Sequence, residues 1–266
     1  MQVQPAEPRR EPIFNMPGIV TAAVVILVAI HALRAALLSA GADLELLLDF
    51  AVVPARWTAA FDPSRLEAIL REAGAGFSPQ EAALREALAR YVVGDGAKPW
   101  TALTYAVLHG SWAHVLLNAV WLAAFGTPVA RRCGAWRFLL LGAACAVAGA
   151  AAHVVTDPLS VAPMVGASAA ISGWMAAAAR FVFALARDAS PSARRVGEAH
   201  ERPRQSIAEL LRNRGAAVFL LVWFASNLLF GLAAAPLGIT DAAVAWEAHI
   251  GGFVVGLLLF PWLDRR

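Results

Sequence analysis

Among the polar side chains set inside the long apolar runs of this chain, five are of types that could do chemistry: His114, Asn118, Ser168, Asn227 and His249. Strongly polar groups in such surroundings are costly, so each is a functional candidate. A hydroxyl with an imidazole is a nucleophile with its base, provided the two lie within about 3 Å. His114 and Asn118 are one helical turn apart and share a face, because positions i and i+4 stack. Ser168 stands in Gly166-Ala167-Ser168-Ala169-Ala170, and His249 in Ala248-His249-Ile250-Gly251-Gly252.

The elements that must position these groups are membrane-spanning helices. Of 266 residues, 59% are hydrophobic and only 15% charged, where a soluble domain carries about a quarter charged residues. A span needs about 20 mostly apolar residues, and six runs qualify: 17–39, 111–130, 135–155, 166–186, 215–236 and 242–263. The expected fold is therefore all-α, a polytopic bundle of six transmembrane helices. The first run is too long for a signal peptide, lacks a clear cleavage site and precedes further spans, so it reads as a retained anchor. Cys133 and Cys145 offer neither a disulfide framework nor metal-ligand spacing. The net charge of +3 is no signature of nucleic-acid binding.

Arginines set the orientation. With a cytoplasmic N-terminus, the inner segments carry Arg9, Arg10, Arg131, Arg132, Arg137, Arg187, Arg194, Arg195, Arg202, Arg204, Arg212, Arg214, Arg265 and Arg266, while the short outer loops near 156–165 and 236–242 carry no Lys or Arg. That asymmetry satisfies the positive-inside rule, and the arginines of the long outer segment 40–100 do not overturn it, because long loops cross regardless of charge. Residues 64–92 within that segment read as two amphipathic helical pieces broken at Gly74-Ala75-Gly76 and Pro79, lying on the outer interface. The inner loop 188–214, rich in Arg, Ser and Pro, reads as a flexible linker.

Depth counting brings three spans to one level. Asn118 and His249 each lie about 10 Å inside their spans at 1.5 Å per residue. Ser168 lies about 18 Å above Arg180, which is expected to snorkel to the inner interface, leaving about 10 Å of the core above the serine. Gly252 and Gly256 form a GxxxG face on the last span, and Gly166 to Gly173 form a small-residue face on the fourth. Such faces let backbones approach closely, so Ser168 and His249 can meet. The loop Thr156 to Pro163 must then dip below the surface, which irregular backbone tolerates only where it lines a water-filled cavity.

These residues resemble the motifs of rhomboid intramembrane serine proteases. His114-Val115-Leu116-Leu117-Asn118 is similar to the family's HxxxN, with His109 five residues earlier; Gly166-Ala167-Ser168 matches GxS; and Ala248-His249-Ile250-Gly251-Gly252, followed by Gly256, matches AHxxG. The resemblance covers about residues 17–263. It implies a cytoplasmic tail (1–16), a six-span rhomboid domain (17–263, with outer loop 40–110 and cytoplasmic loop 188–214) and a cytoplasmic end (264–266). It also implies a Ser–His dyad in which Ser168 attacks the scissile carbonyl of a transmembrane substrate and His249 moves the proton. The Asn118 amide, the His114 ring and the Ser168 backbone N–H would hold the oxyanion. No metal or cofactor is implied; the partners are transmembrane protein substrates and the lipid bilayer. Together with the absence of a long targeting extension, the layout implies a bacterial inner membrane.

Three positions depart from the commonest pattern. Ala169 stands where Gly is usual. Ser172 replaces the aromatic ring that stacks on the base in some members, which leaves His249 held either less firmly or by another side chain such as Trp174 or Phe253. The outer loop has Arg56-Trp57 and, much later, Pro99-Trp100 in place of a Trp-Arg pair.

Plainer readings stand beside these. Ser168 could be packing, His249 could bond a helix carbonyl, Asn118 could be interhelical glue, and His114 could only brace the outer loop. His109 is read as structural, Asn227 as bonding a neighbouring helix, and His31, His153 and His200 as having no convergent partners. Glu247 is on the wrong helix face to serve as a triad acid. Trp112, Trp246 and Trp262 fit interfacial belts. The competing function is a catalytically inactive rhomboid-like protein that binds or escorts membrane proteins. A zinc enzyme lacks an HExxH pattern and a further ligand, and a transporter would need repeated halves or buried acids.

Overall fold

In the computed structural model the described residues are 16–184, 199–233 and 244–264. They are helical apart from loops and one isolated antiparallel bridge, Val52 with Met164. In chain order the helices are α1 (Gly18–Leu37), α2 (Ala40–Phe50), α3 (Pro54–Phe61), α4 (Leu66–Gly74), α5 (Pro79–Gly94), α6 (Thr101–Thr104), α7 (Trp112–Trp121), α8 (Thr127–Cys133), α9 (Ala135–Thr156), α10 (Ser168–Val182), α11 (Ile207–Arg212), α12 (Arg214–Ala233) and α13 (Trp246–Leu263). A π-helical turn, Leu122–Gly126, joins α7 to α8.

Four helices, Gly18–Leu37, Trp112–Cys133, Ala135–Thr156 and Trp246–Leu263, are long and apolar enough to cross a membrane. Their outward faces carry exposed Val25, Leu33, Leu117, Val120, Leu140, Val147, Val155 and Leu258. Apolar side chains facing outward on helices of this length define a membrane protein.

Helix α10 has 15 residues and is enclosed by the others, with every residue from Ala169 to Phe181 buried. Its Ala, Gly and Ser side chains permit that enclosure. A methyl added at Gly252 of α13 would come 2.1 Å from the Ala169 carbonyl oxygen, and one at Gly256 would come 2.3 Å from that of Gly173. On the other side, a methyl at Gly173 would strike Cys145 Sγ of α9 at 2.2 Å. The two small-residue faces expected on the fourth and last spans are thus where those helices meet. Cys133 and Cys145 are buried.

Residues 64–92 contain the two helical pieces anticipated there, α4 and α5, separated at residues 75–78. Ser78 opens α5 with a capping box to Glu81, which stabilises a helix start by satisfying orphan N–H groups. Arg56 is buried and donates to the carbonyls of Leu48 (2.5 Å) and Val92 (2.9 Å), in the last turns of α2 and α5. Its charge answers the negative ends of two helices. Burial pulls this guanidinium below its ordinary value.

Two expectations about the inner side need correcting. Arg180 does not snorkel: it is buried and donates to the carbonyls of Gln205 (2.9 and 2.8 Å) and Leu257 (3.0 Å). Backbone acceptors brought by the loop satisfy its donors in place. That loop is correspondingly more structured than a linker where it is described, with a short turn at Ala199–Glu201 and α11 capped by Ser206 and Glu209. Arg132 forms a bidentate pair with Asp264 at 2.8 Å for both bonds, beneath the Phe181 and Phe260 rings. Arg9, Arg10, Arg187, Arg194, Arg195, Arg265, Arg266 and the whole of the loop 236–242 lie outside the described residues.

Candidate functional site

Ser168 is the first residue of α10, so its N–H belongs to the turn that has no intrahelical acceptor. The chain reaches it through the non-helical stretch 157–167, which is fastened at several points. Val52 and Met164 exchange backbone hydrogen bonds (3.2 and 2.8 Å), Ala55 N–H donates to the Ser160 carbonyl (2.9 Å), and Gly166 N–H donates to the Tyr105 carbonyl (3.0 Å). The Tyr105 hydroxyl in turn donates to Ala146 of α9 (2.8 Å). The stretch 157–167 is thus non-helical yet held in place by backbone hydrogen bonds.

His249 Nε2 lies 2.7 Å from Ser168 Oγ. Both side chains are half-buried. On its other side, His249 Nδ1 meets the side-chain oxygen of Asn227 on α12 at 2.5 Å. The partner that steadies the ring is therefore neither Trp174 nor Phe253. Trp174 stacks on Phe138 (centroids 4.2 Å apart) and donates to its carbonyl, while Phe253 stacks on Trp223 at 4.6 Å. Ser172 turns back along its own helix and donates to the Ser168 carbonyl at 2.8 Å.

Gly166 adopts φ +127°, a conformation that side chains disfavour, and a methyl there would come 2.8 Å from His114 Nε2 and 3.7 Å from Asn118 Nδ2. His114 and Asn118 therefore flank the backbone two residues ahead of Ser168. Asn118 is buried and its Nδ2 has no hydrogen-bond partner among the described residues. A buried unpaired donor is rare and calls for an explanation.

His109 is fully buried. Its Nε2 accepts the Ala167 N–H at 3.5 Å, and its ring meets His114 edge-on with centroids 5.0 Å apart. Burial, aided by the neighbouring His114, His31 and Arg34, pushes its imidazole down to about 3, so the ring is neutral and keeps the lone pair that accepts.

Two histidines read as partnerless have partners. His31 Nδ1 lies 3.2 Å from the His109 carbonyl and its ring meets Trp112 edge-on, while His153 approaches Glu247 at 3.8 Å across α9 and α13. Glu247 thus faces away from His249, as its position along the helix required. Arg34, not among the candidates the sequence offers, is buried, donates to the His109 carbonyl (3.0 Å) and makes a bidentate pair with Asp43. Its signal was a charge inside an otherwise apolar run. Asn227 bonds a neighbouring helix, as expected, and its partner there is His249; depth along a helix does not name that partner, because it says nothing about rotation about the axis.

Residues 96–266 match the Rhomboid domain family. The chain belongs to the rhomboid family. A stretch of 78 residues is 41% identical to the rhomboid protease GluP of Bacillus subtilis (strain 168); it covers 29% of this chain and 15% of that relative.

Proposed function

We propose that this protein is an intramembrane serine endopeptidase that cleaves transmembrane segments of membrane proteins through an acyl-enzyme intermediate. The observation that carries the reading is the 2.7 Å contact between Ser168 Oγ and His249 Nε2, within the reach a nucleophile and its base require. Family membership and the protease named among the relatives support it.

Ser168 Oγ attacks the scissile carbonyl carbon as its proton passes to His249 Nε2. The carbonyl oxygen becomes an oxyanion held by the Asn118 amide, the His114 ring and the Ser168 backbone N–H, at the positive end of α10. His249 returns the proton to the leaving amine, leaving an acyl ester on Ser168. A water, deprotonated by the same imidazole, then releases the new carboxylate. Helix α10 and the apolar run starting at Arg214 complete a six-span membrane domain with the four longer spans. The arginine asymmetry sets both termini in the cytoplasm, with a bacterial inner membrane as the location.

The test is reaction of the detergent-purified protein with a fluorophosphonate probe, comparing wild type with Ser168→Ala and His249→Ala, alongside cleavage of a model transmembrane substrate. Labelling and cleavage lost in both variants establish the dyad. A folded wild type that neither labels nor cleaves would move the protein to the class of inactive relatives that bind or escort membrane proteins.

A further inference from the structure

We infer that Asn227 is a positioning residue for His249, fixing the ring proton on Nδ1 and leaving Nε2 free to accept from Ser168. The inference deepens the protease reading and rests on it for its consequence in catalysis.

The hydrogen bonds around Asn227 leave a single direction. Its Nδ2 lies 2.8 Å from the Trp223 carbonyl one turn earlier on α12. A carbonyl only accepts, so that end of the amide is the NH₂ and the other end is the oxygen. The oxygen faces His249 Nδ1 and can only accept in turn, so Nδ1 carries the hydrogen. The neutral ring then has its lone pair on Nε2, and the 2.7 Å contact must have Ser168 donating. Reversing the amide would set two carbonyl oxygens against each other at Trp223. The three bonds run one way, Ser168 to His249 to Asn227 to Trp223, and bonds in such a chain polarise one another.

Aromatic packing holds the chain in place. Trp223 lies one turn before Asn227, and Phe253 one turn after His249; their rings stack with centroids 4.6 Å apart and 22° between planes. Two successive side-chain pairs therefore join the facing sides of α12 and α13. Asn227 takes the orienting part that an aspartate plays in a three-residue serine hydrolase, without adding a charge to the imidazolium. The other titratable side chain acting on His249 is His114; Glu247 is directed at His153.

The test compares wild type, Asn227→Ala and Asn227→Asp. In ¹⁵N-histidine NMR of the detergent-solubilised protein, His249 shows the Nδ1–H tautomer in wild type and loses that preference in Asn227→Ala. On a transmembrane substrate, Asn227→Ala lowers kcat by about 10²-fold with KM nearly unchanged, the scale expected of a misplaced group. Asn227→Asp restores much of kcat and moves the acidic limb of the activity profile to higher pH, because a carboxylate favours the imidazolium. An Nε2–H tautomer in wild type, or kcat within twofold of wild type for Asn227→Ala, overturns the inference. A protein inert to every substrate whose Nδ1–H tautomer still depends on Asn227 would overturn the protease reading and leave the positioning intact.

Discussion

The side chain of Ala169 is accommodated by the lack of one at Gly149: a methyl built on Gly149 would come within 2.4 Å of Ala169 Cβ. The methyl that departs from the commonest motif next to the serine therefore points into the α9 interface, away from the Ser168 hydroxyl. The same position at Gly149 is bounded by the Ala248 carbonyl at 2.8 Å and the Tyr105 hydroxyl at 3.1 Å, so nothing there can yield cheaply.

Gly149→Ala is expected to destabilise the protein by about 1–3 kcal/mol, the usual cost of overpacking. Thermal unfolding in detergent measures it. Adding Ala169→Gly should recover part of the loss, and a double variant no more stable than Gly149→Ala alone would show that the two side chains do not compete.

Asn118→Ala is expected to reduce kcat by about 10²–10³-fold, the effect of removing one oxyanion donor. Because Nδ2 has no partner among the described residues, the unfolding midpoint should move little. A large fall in stability with kcat preserved would make Asn118 structural.

Arg132→Ala leaves the buried Asp264 carboxylate without its bidentate partner, and Arg204, at 3.8 Å, is a poor substitute. Breaking a buried pair in this way costs about 3–5 kcal/mol. Unfolding in detergent, compared across Arg132→Ala, Asp264→Ala and the double variant, should show the double variant losing less than the two single losses combined.

Stability should fall on acidification, partly through His109. The unfolded chain protonates this histidine near its ordinary value of about 6.5, whereas in the folded protein burial pushes it down to about 3. Between those values the unfolded state binds more protons, so stability drops as pH falls through that window. Unfolding midpoints at about pH 7 and about pH 5 should differ less in His109→Gln than in wild type; equal differences would show that His109 does not titrate in this way.

What could be read from the sequence follows from what one helix can encode. Gly252 and Gly256 on one helix, and Gly173 on another, announce that backbones meet there, and the meeting of Ser168 with His249 follows. Depth could be counted residue by residue, so Asn118 and Ser168 were placed at one level. Rotation about a helix axis depends on neighbours the sequence does not name, which is why a bond from Asn227 to a neighbouring helix is legible but His249 as its partner is not. The burial of Arg180 is hidden from the sequence for a related reason. Its acceptor, the Gln205 carbonyl, arrives from 25 residues away, in a loop whose polar composition suggested solvent.

The Val52–Met164 bridge also bears on the order in which the protein takes shape. It joins segments about a hundred residues apart, and contacts that close long loops form late because their entropy must be overcome before they return anything. The stretch leading to Ser168 can settle only after the chain ahead of α7 has folded back over it. During biogenesis the serine would thus be among the last groups to reach its place, and a fully synthesised but incompletely folded chain would hold its hydroxyl and imidazole without yet holding them together.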